Sequence, residues 1–426
     1  MKMTKALATS LVMLAFGANA NANETIYLTG STAYRAGALT AIVKLLGGTS
    51  TTSLTTNSTP TAQSNSTLAS ANVVNWIGKS YNGHTVNIKV SFFGSAGGVE
   101  TTSNSIAWPF LSDATTGTVS FDPSNPPAAG TGAGQSDYQV PQITFSDSWQ
   151  SATPFNDNVL ANDTIVGVVP FQFVASHGAP TGQSLNNHLF NAIFSGGNAA
   201  LATMTGSSTD RTTLVTANIG GSSVPNTPVQ LFALGRDADS GTRIITLAET
   251  GYGINNTVAQ YKPVTSGNNV TSHDFYPAET INGIPYDPGN TGYPSGGTLA
   301  GLVRLNSLSG IGGYYITYLG KSDAKTALLT SGTGAGSAVP VAWNGVSYFD
   351  NSGSGVPNDT LITEGQYTFW SYEHILYGSL SGQAAVFAPA LATETATTAT
   401  SSVAGIPLSS MHASRSSDGG YVIQNY

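Results

Sequence analysis

Apolar and polar positions alternate along the chain in a way that switches repeatedly between two periods. TIYLTG (Thr25 to Gly30) is a short apolar run stopped by glycine, and STAYRAGALTAIVKLL then sets Leu39, Ile42, Val43 and Leu46 at helical spacing. The pair predicts a buried strand, a polar turn and a helix capped by Ser31 or Thr32. TVNIKVSFFGS places Val86, Ile88, Val90 and Phe92 on one face and runs into GSAGGVE, Gly94 to Glu100, a second glycine-rich turn into a helix. QITFSDSWQ ends a further strand at Ser146 and Asp147. IVGVVPFQFVA is a continuous apolar run, the pattern of a central parallel strand covered on both faces.

The alternation continues through NNHLFNAIFSGG, VQLFAL, IITLAETGYG, GYPSGGTLAGLVRL with its turn at Ser295, Gly296 and Gly297, and SGIGGYYITYLG. ITEGQYTFWSYEHILYG reads as a late, aromatic-rich helix. Gly47 to about Ser70 is rich in Thr, Ser and Asn, and Ala107 to Val140 is dense in Pro and Gly, so both read as loops or insertions. No repeat period is present. Recurrent strand–turn–helix units argue an α/β protein with mixed, mostly parallel sheets.

Length and composition narrow this further. The 426 residues suffice for two domains with sizeable cores. Only 8% of residues are charged, so polarity rests on Ser, Thr, Asn and Gly. A net charge of −8 and a pI near 5.1 argue against nucleic acid or an anionic membrane surface as partner. Residues 1–22 have the layout of a secretory signal peptide: Lys2 and Lys5, the apolar run ALATSLVMLAFGA, then small residues allowing cleavage after Ala20 or Ala22. No later run is long enough to span a membrane, and the chain has no cysteine, hence no disulfide or lipidated thiol. A periplasmic protein is expected, with full secretion as the alternative.

The most chemically pointed stretch is GRDADSGTR, Gly235 to Arg243. It falls between a strand and a helix, so Ser240, Gly241 and Thr242 coincide with the first helical N–H groups, which lack intrahelical acceptors and sit at the positive end of the dipole. Such an end attracts anions. Two hydroxyls add donors, and Arg236 offers a planar fork. The plainer alternative is an ordinary cap, with Ser240 serving only its own helix. Two other turns, Gly30–Ala33 and Gly94–Gly98, share the same strand-to-helix logic. In parallel sheets such turns gather at the carboxyl ends of the strands.

Together these segments resemble the phosphate-binding proteins of bacterial ABC importers, within the type II periplasmic solute-binding class. RDADSGT is similar to that family's Arg-x-Asp-x-Ser-Gly-Thr run at Arg236, Ser240, Gly241 and Thr242. GSAGGV resembles its second segment and makes Ser95 a hydroxyl donor; FSD resembles its Ala-Ser-Asp segment and implies Asp147 as the carboxylate facing the ligand. TGSTA resembles its first glycine turn, implying contacts from Thr32 and the N–H of Ala33. The segments follow the family's order, and VGVVPF and SGIGGYYI look like its later landmarks. Two departures stand out. Ala238 replaces the family's Asp, with Asp237 and Asp239 on either side able to orient Arg236, and the spacer from Ser95 to Asp147, including 101–140, is unusually long.

The resemblance implies a two-domain fold with the ligand cleft between domains. Residues 23–167 and 342–426 would form domain 1, and 168–341 domain 2. It implies capture of inorganic phosphate or a similar tetrahedral oxyanion for an ABC permease, by a monomer without cofactor or metal. Asp147 would accept the proton of hydrogen phosphate and repel sulfate, which has none; its alternative is a structural cap of SWQ. Arg243 is a second-tier candidate. Trp149, Trp343 and Trp370 read as packing residues. An enzyme is not expected: the six histidines have no metal spacing, no GxSxG occurs, and Glu364 with Glu373 is only a formal carboxylate pair. The rival reading is a secreted protein of similar binding fold with a structural, adhesive or scavenging role and no transporter.

Overall fold

The computed structural model describes residues 23–425 except 282, 332, 351, 353 and 399–404; the expected signal segment, Met1 to Ala22, lies outside the described residues. The elements that carry the site are β1 (Glu24–Gly30), α1 (Arg35–Leu45), β2 (Val73–Tyr81), β3 (His84–Phe92), α2 (Ser95–Ser103), β4 (Ile143–Ser146), β5 (Asn162–Ala175), β6 (Gln230–Ala233), α3 (Gly241–Glu249), α4 (Gly296–Leu302), β7 (Gly313–Gly320), α5 (Lys321–Leu328), β8 (Val339–Trp343), β9 (Trp370–Tyr377) and α6 (Gly382–Thr398). The α/β class expected from the alternation is present.

One mixed sheet runs through the molecule in the order β6, β7, β5, β9, β4, β1, β3, β2, with short strands beyond each end. The strand–turn–helix units produce parallel pairs, β1 beside β3 and β4, and β6 beside β7. The centre is antiparallel. β5, expected as a parallel strand, pairs antiparallel with β7, β8 and β9, although it is central and buried as its apolar run required. Continuous apolarity reports burial on both faces, which an antiparallel strand covered on both sides also has.

The late aromatic segment is the larger correction. Helix is confined to Asp359–Thr363, Gly365 takes a positive φ of 70°, and Trp370–Tyr377 is the strand β9. Aromatic and β-branched side chains suit a pleated surface, and β5 and β4 on either side supply the ladder. Ala107 to Val140, expected as loop, contains the antiparallel pair Trp108–Leu111 and Ser136–Gln139.

Two large hydrophobic cores divide the length of the sheet between them. The first joins Ile26, Leu28, Ile42, Val90, Phe145, Val166, Ile375 and Leu391. The second joins Val168, Phe171, Phe232, Ile245, Tyr318, Trp343, Tyr348, Phe369, Trp370 and Tyr372. The change of core falls on β5 between Val166 and Val168, and on β9 between Tyr372 and Ile375. The second core also takes in residues late in the chain, among them Tyr348, Phe369, Trp370, Tyr372 and Ile406. Among the described residues no helix is long and apolar enough to cross a membrane.

Candidate functional site

The three polar turns meet where the two cores meet. The N–H of Gly94 donates to Gly30 O (3.0 Å), and the N–H of Ala96 donates to Asp239 O (3.0 Å), so the ends of β1, β3 and β6 lock together. That contact has a chemical consequence. The second and third amides of α2, those of Ala96 and Gly97, both point at Asp239 O and are taken by the protein itself. At α3 the side chain of Ser240 accepts from Arg243 N (3.3 Å), the ordinary cap, while the amides of Gly241 and Thr242 have no acceptor among the described residues. The amides of Thr32 and Ala33, before α1, are likewise without one. The amides that remain for an anion are therefore those of α3, of the β1–α1 turn and of Ser95.

Arg236 is buried, 3% exposed. Its Nε donates to Tyr293 O (3.0 Å) and its Nη2 to Pro294 O (2.7 Å) and, at the limit of 3.5 Å, to Thr32 Oγ1. Its backbone is held by the Tyr318 hydroxyl and by Gln260, which donates to Arg236 O (3.1 Å). None of the ion pairs among the described residues involves Arg236. Asp237, one of the two acids expected to orient it, feels both Arg236 and Arg243 but is pushed towards protonation by burial. A guanidinium out of water with only neutral acceptors is a site for a counter-ion.

Asp147, at the end of β4, is 1% exposed and tied to both neighbouring helix starts. Ser95 Oγ donates to Asp147 Oδ1 (2.5 Å), Thr242 Oγ1 donates to Asp147 Oδ2 (3.3 Å), and Asp147 N donates back to Ser95 Oγ (3.1 Å). Burial raises its pKa, opposed by the Ser95 bond and then by Arg236 and Thr242. Gly241 is obligatory here: a Cβ would lie 1.7 Å from Asp147 Oδ1 and 2.6 Å from Ser95 Cβ. Thr32, Ser95, Asp147, Arg236, Gly241 and Thr242 thus form one constellation, with Ala33 beside it. The hydroxyls of Ser95 and Thr242 point at Asp147 in this state, and that of Ser240 serves its helix.

Arg243 is equally buried but turned away. It donates to Arg236 O (3.3 Å), Asn290 O (3.1 Å) and Asn290 Oδ1 (2.8 Å), bracing the turn that carries Arg236. Three neighbouring groups have no motif of their own. Arg35, half-buried, donates to Asn72 Oδ1 (2.8 Å), and its pKa is lowered by burial, raised by Asp323 and lowered by Arg236. Asp323, in the first turn of α5, approaches the start of α4, where a Cβ on Gly296 would meet Asp323 Oδ2 at 2.2 Å and Arg236 Nη1 at 3.5 Å. Glu373 projects from β9 beside Asp147 and is fully buried. Its formal partner Glu364 lies elsewhere, bonded to His412 Nδ1 (2.7 Å). Trp149, Trp343 and Trp370 pack against Tyr372, Phe173 and Tyr372, respectively.

No protein-family model and no curated protein matches the chain. Among solved structures it is similar to a candidate phosphate ABC transporter substrate-binding protein with bound phosphate from Clostridium perfringens, at 10% identity and a TM-score of 0.43 over 90% of this chain and 100% of that one. An ABC-type phosphate transport receptor from Vibrio cholerae matches at 12% identity and a TM-score of 0.41, covering 89% and 99%. PstS from Borrelia burgdorferi matches at 11% and 0.34, covering 87% and 93%.

Proposed function

We propose that the chain is an exported binding protein that captures inorganic phosphate between two domains and presents it to an ABC permease. The observation that carries this is Arg236: a buried guanidinium that forms no direct ion pair among the described residues, beside the open amides at the start of α3. In this reading, Arg236 and the amides of Gly241, Thr242 and Ala33 grip the oxyanion. The hydroxyls of Thr32, Ser95 and Thr242 add donors, and Asp147 accepts the proton of hydrogen phosphate. Charge-assisted hydrogen bonds contribute about 1.5–3 kcal/mol each. Micromolar affinity needs about 8 kcal/mol. Donors from three turns are enough for that after association costs.

The two domains of the proposal follow the two cores, and the crossings on β5 and β9 would form the hinge, so that closure over the ligand is what a permease reads. The protein acts as a monomer in this scheme and releases its ligand unchanged. Equilibrium dialysis with labelled phosphate tests it. The wild type should hold one phosphate per chain, and Arg236→Ala should lose at least about a hundredfold in affinity, the worth of two charge-assisted contacts. Equal retention by both proteins would reject the assignment.

A further inference from the structure

Glu373 is an acid for which the phosphate scheme above has no use. It sits where β9 passes from one core to the other, opposite Gly167 of β5. The β9–β4 ladder pairs Ile375 with Phe145 and His374 with Ser146, so one further step along both strands sets Glu373 across from Asp147. Neither carboxyl oxygen has a hydrogen-bond partner among the described residues. The Ser31 hydroxyl lies near enough to ease its charge but outside hydrogen-bond geometry. The Tyr34 hydroxyl, also buried and also without a partner, feels the same carboxyl. Two polar groups, the Glu373 carboxyl of β9 and the Tyr34 hydroxyl of the β1–α1 turn, are therefore buried here without a partner among the described residues, while Ser31 Oγ accepts from Tyr34 N (3.4 Å).

The surrounding charges give Glu373 no reason to ionise. Burial acts first and Asp147 second, both against the charged form. His374, next on the strand, is bonded to Asp163 (2.6 Å). Asp418, packed on the other end of β9, accepts from Ser371 (2.5 Å) and from Trp149 N (2.9 Å). Arg236 acts on Asp147, and Arg35 faces Asp323. Two guanidinium groups against Asp147 and Asp323 leave nothing to offset a third carboxylate next to an incoming anion. A buried carboxyl in that position is stable as the neutral acid, which turns it from a repelling group into an O–H donor.

We propose that Glu373 is a second acid of the anion site, held as a neutral carboxylic acid whose O–H donates to the bound oxyanion while Asp147 accepts from it. The inference rests on the phosphate reading and extends it. Asp147 demands a ligand that carries a proton, and Glu373 demands a ligand oxygen that does not. Hydrogen phosphate meets both, whereas ionised Glu373 would set two carboxylates against a dianion. Specificity for the singly protonated form is thus divided between two acids.

The test is phosphate affinity of wild type and Glu373→Gln from neutral to alkaline pH. Phosphate's own titration is common to both proteins, so their ratio isolates the residue. As Glu373 ionises, the wild type should weaken by up to about tenfold per pH unit relative to Glu373→Gln, whose amide N–H still donates and never ionises. Coincident profiles would overturn this inference alone. Absence of phosphate binding by the wild type at every pH would overturn the anion reading and this inference with it. Infrared spectroscopy gives a readout that does not depend on affinity. The wild type should show a buried-acid carbonyl stretch at neutral pH that is displaced on adding phosphate and is missing from the difference spectrum of Glu373→Gln; a band common to both proteins would count against the proposal.

Discussion

At the scale of single residues, two arginines seven positions apart divide the work. Arg236 faces the meeting point of the turns, while Arg243 gives all its bonds to Arg236 O and Asn290. Arg243→Ala removes three hydrogen bonds, one to the buried Arg236 O and two to the half-buried Asn290; Arg236 O keeps the Gln260 donor and Asn290 Oδ1 keeps Val258 N, so each loss is worth about 0.5–1.5 kcal/mol. The expected outcome is a clear drop in melting temperature, with phosphate affinity of the folded protein reduced much less than in Arg236→Ala. Thermal melts paired with binding titrations check this, and equal affinity losses would contradict the division. The sequence showed Arg236, Thr32, Ser95, Asp147 and Thr242 because each lies in a short polar run after an apolar one. It could not show that Asp239 O occupies the α2 amides of Ala96 and Gly97, or that Arg35 acts electrostatically on Asp323, since those interactions join separate segments of chain. Glu373 left one trace, a lone acid inside the apolar run WSYEHILY, and a helical reading of that run hid which residue it faces.

At the scale of elements, the close approach of α2 to the strand ends decides whether the turns meet. Gly98 of α2 lies against β1 and β4: a Cβ there would stand 2.6 Å from Gly30 Cα and 2.4 Å from Thr144 Oγ1. Both atoms belong to strands in the middle of the sheet, so the helix would have to move. Overpacking of this kind costs about 1–3 kcal/mol. Gly98→Ala should therefore lower the denaturant midpoint and weaken phosphate binding together, because displacing α2 carries Ser95 away from Asp147. Loss of stability with unchanged affinity would show that the site does not depend on α2. Element periodicity was legible for β1, α1, β3, α2 and α3, where glycine punctuates the turns. β9 was misread because aromatic residues recur at spacings that suit either period, and the neighbouring strands that select the pleated form lie about two hundred residues away in sequence.

At the scale of the whole molecule, the protein keeps an unusual store of buried acids. Burial raises the pKa of Asp147, Asp237, Glu249, Asp323 and Glu373, and pushes Asp418 up to about 6. Each holds its proton to higher pH folded than unfolded, so over this window the native state binds more protons and stability falls as pH rises. For Asp418 the loss begins at 3.8, the ordinary aspartate value, and is complete above about 6. Without ligand, the melting temperature should decline from mildly acidic to neutral pH, and scanning calorimetry in anion-free buffer reads this directly. A rise over the same range would mean that these acids are paired in solution. The length left room for two cores; where they meet within β9 was not legible, because an apolar run carries no mark of which core it enters.

The most direct test of the central claim is calorimetric titration of the mature protein, stripped of anion, with phosphate and separately with sulfate. Tight binding of one phosphate per chain with no heat from sulfate is the expected result, since Arg236 attracts either anion but Asp147 accepts only from one that carries a proton. Sulfate binding as tight as phosphate would contradict the role of Asp147, and no heat from either would contradict the anion site itself.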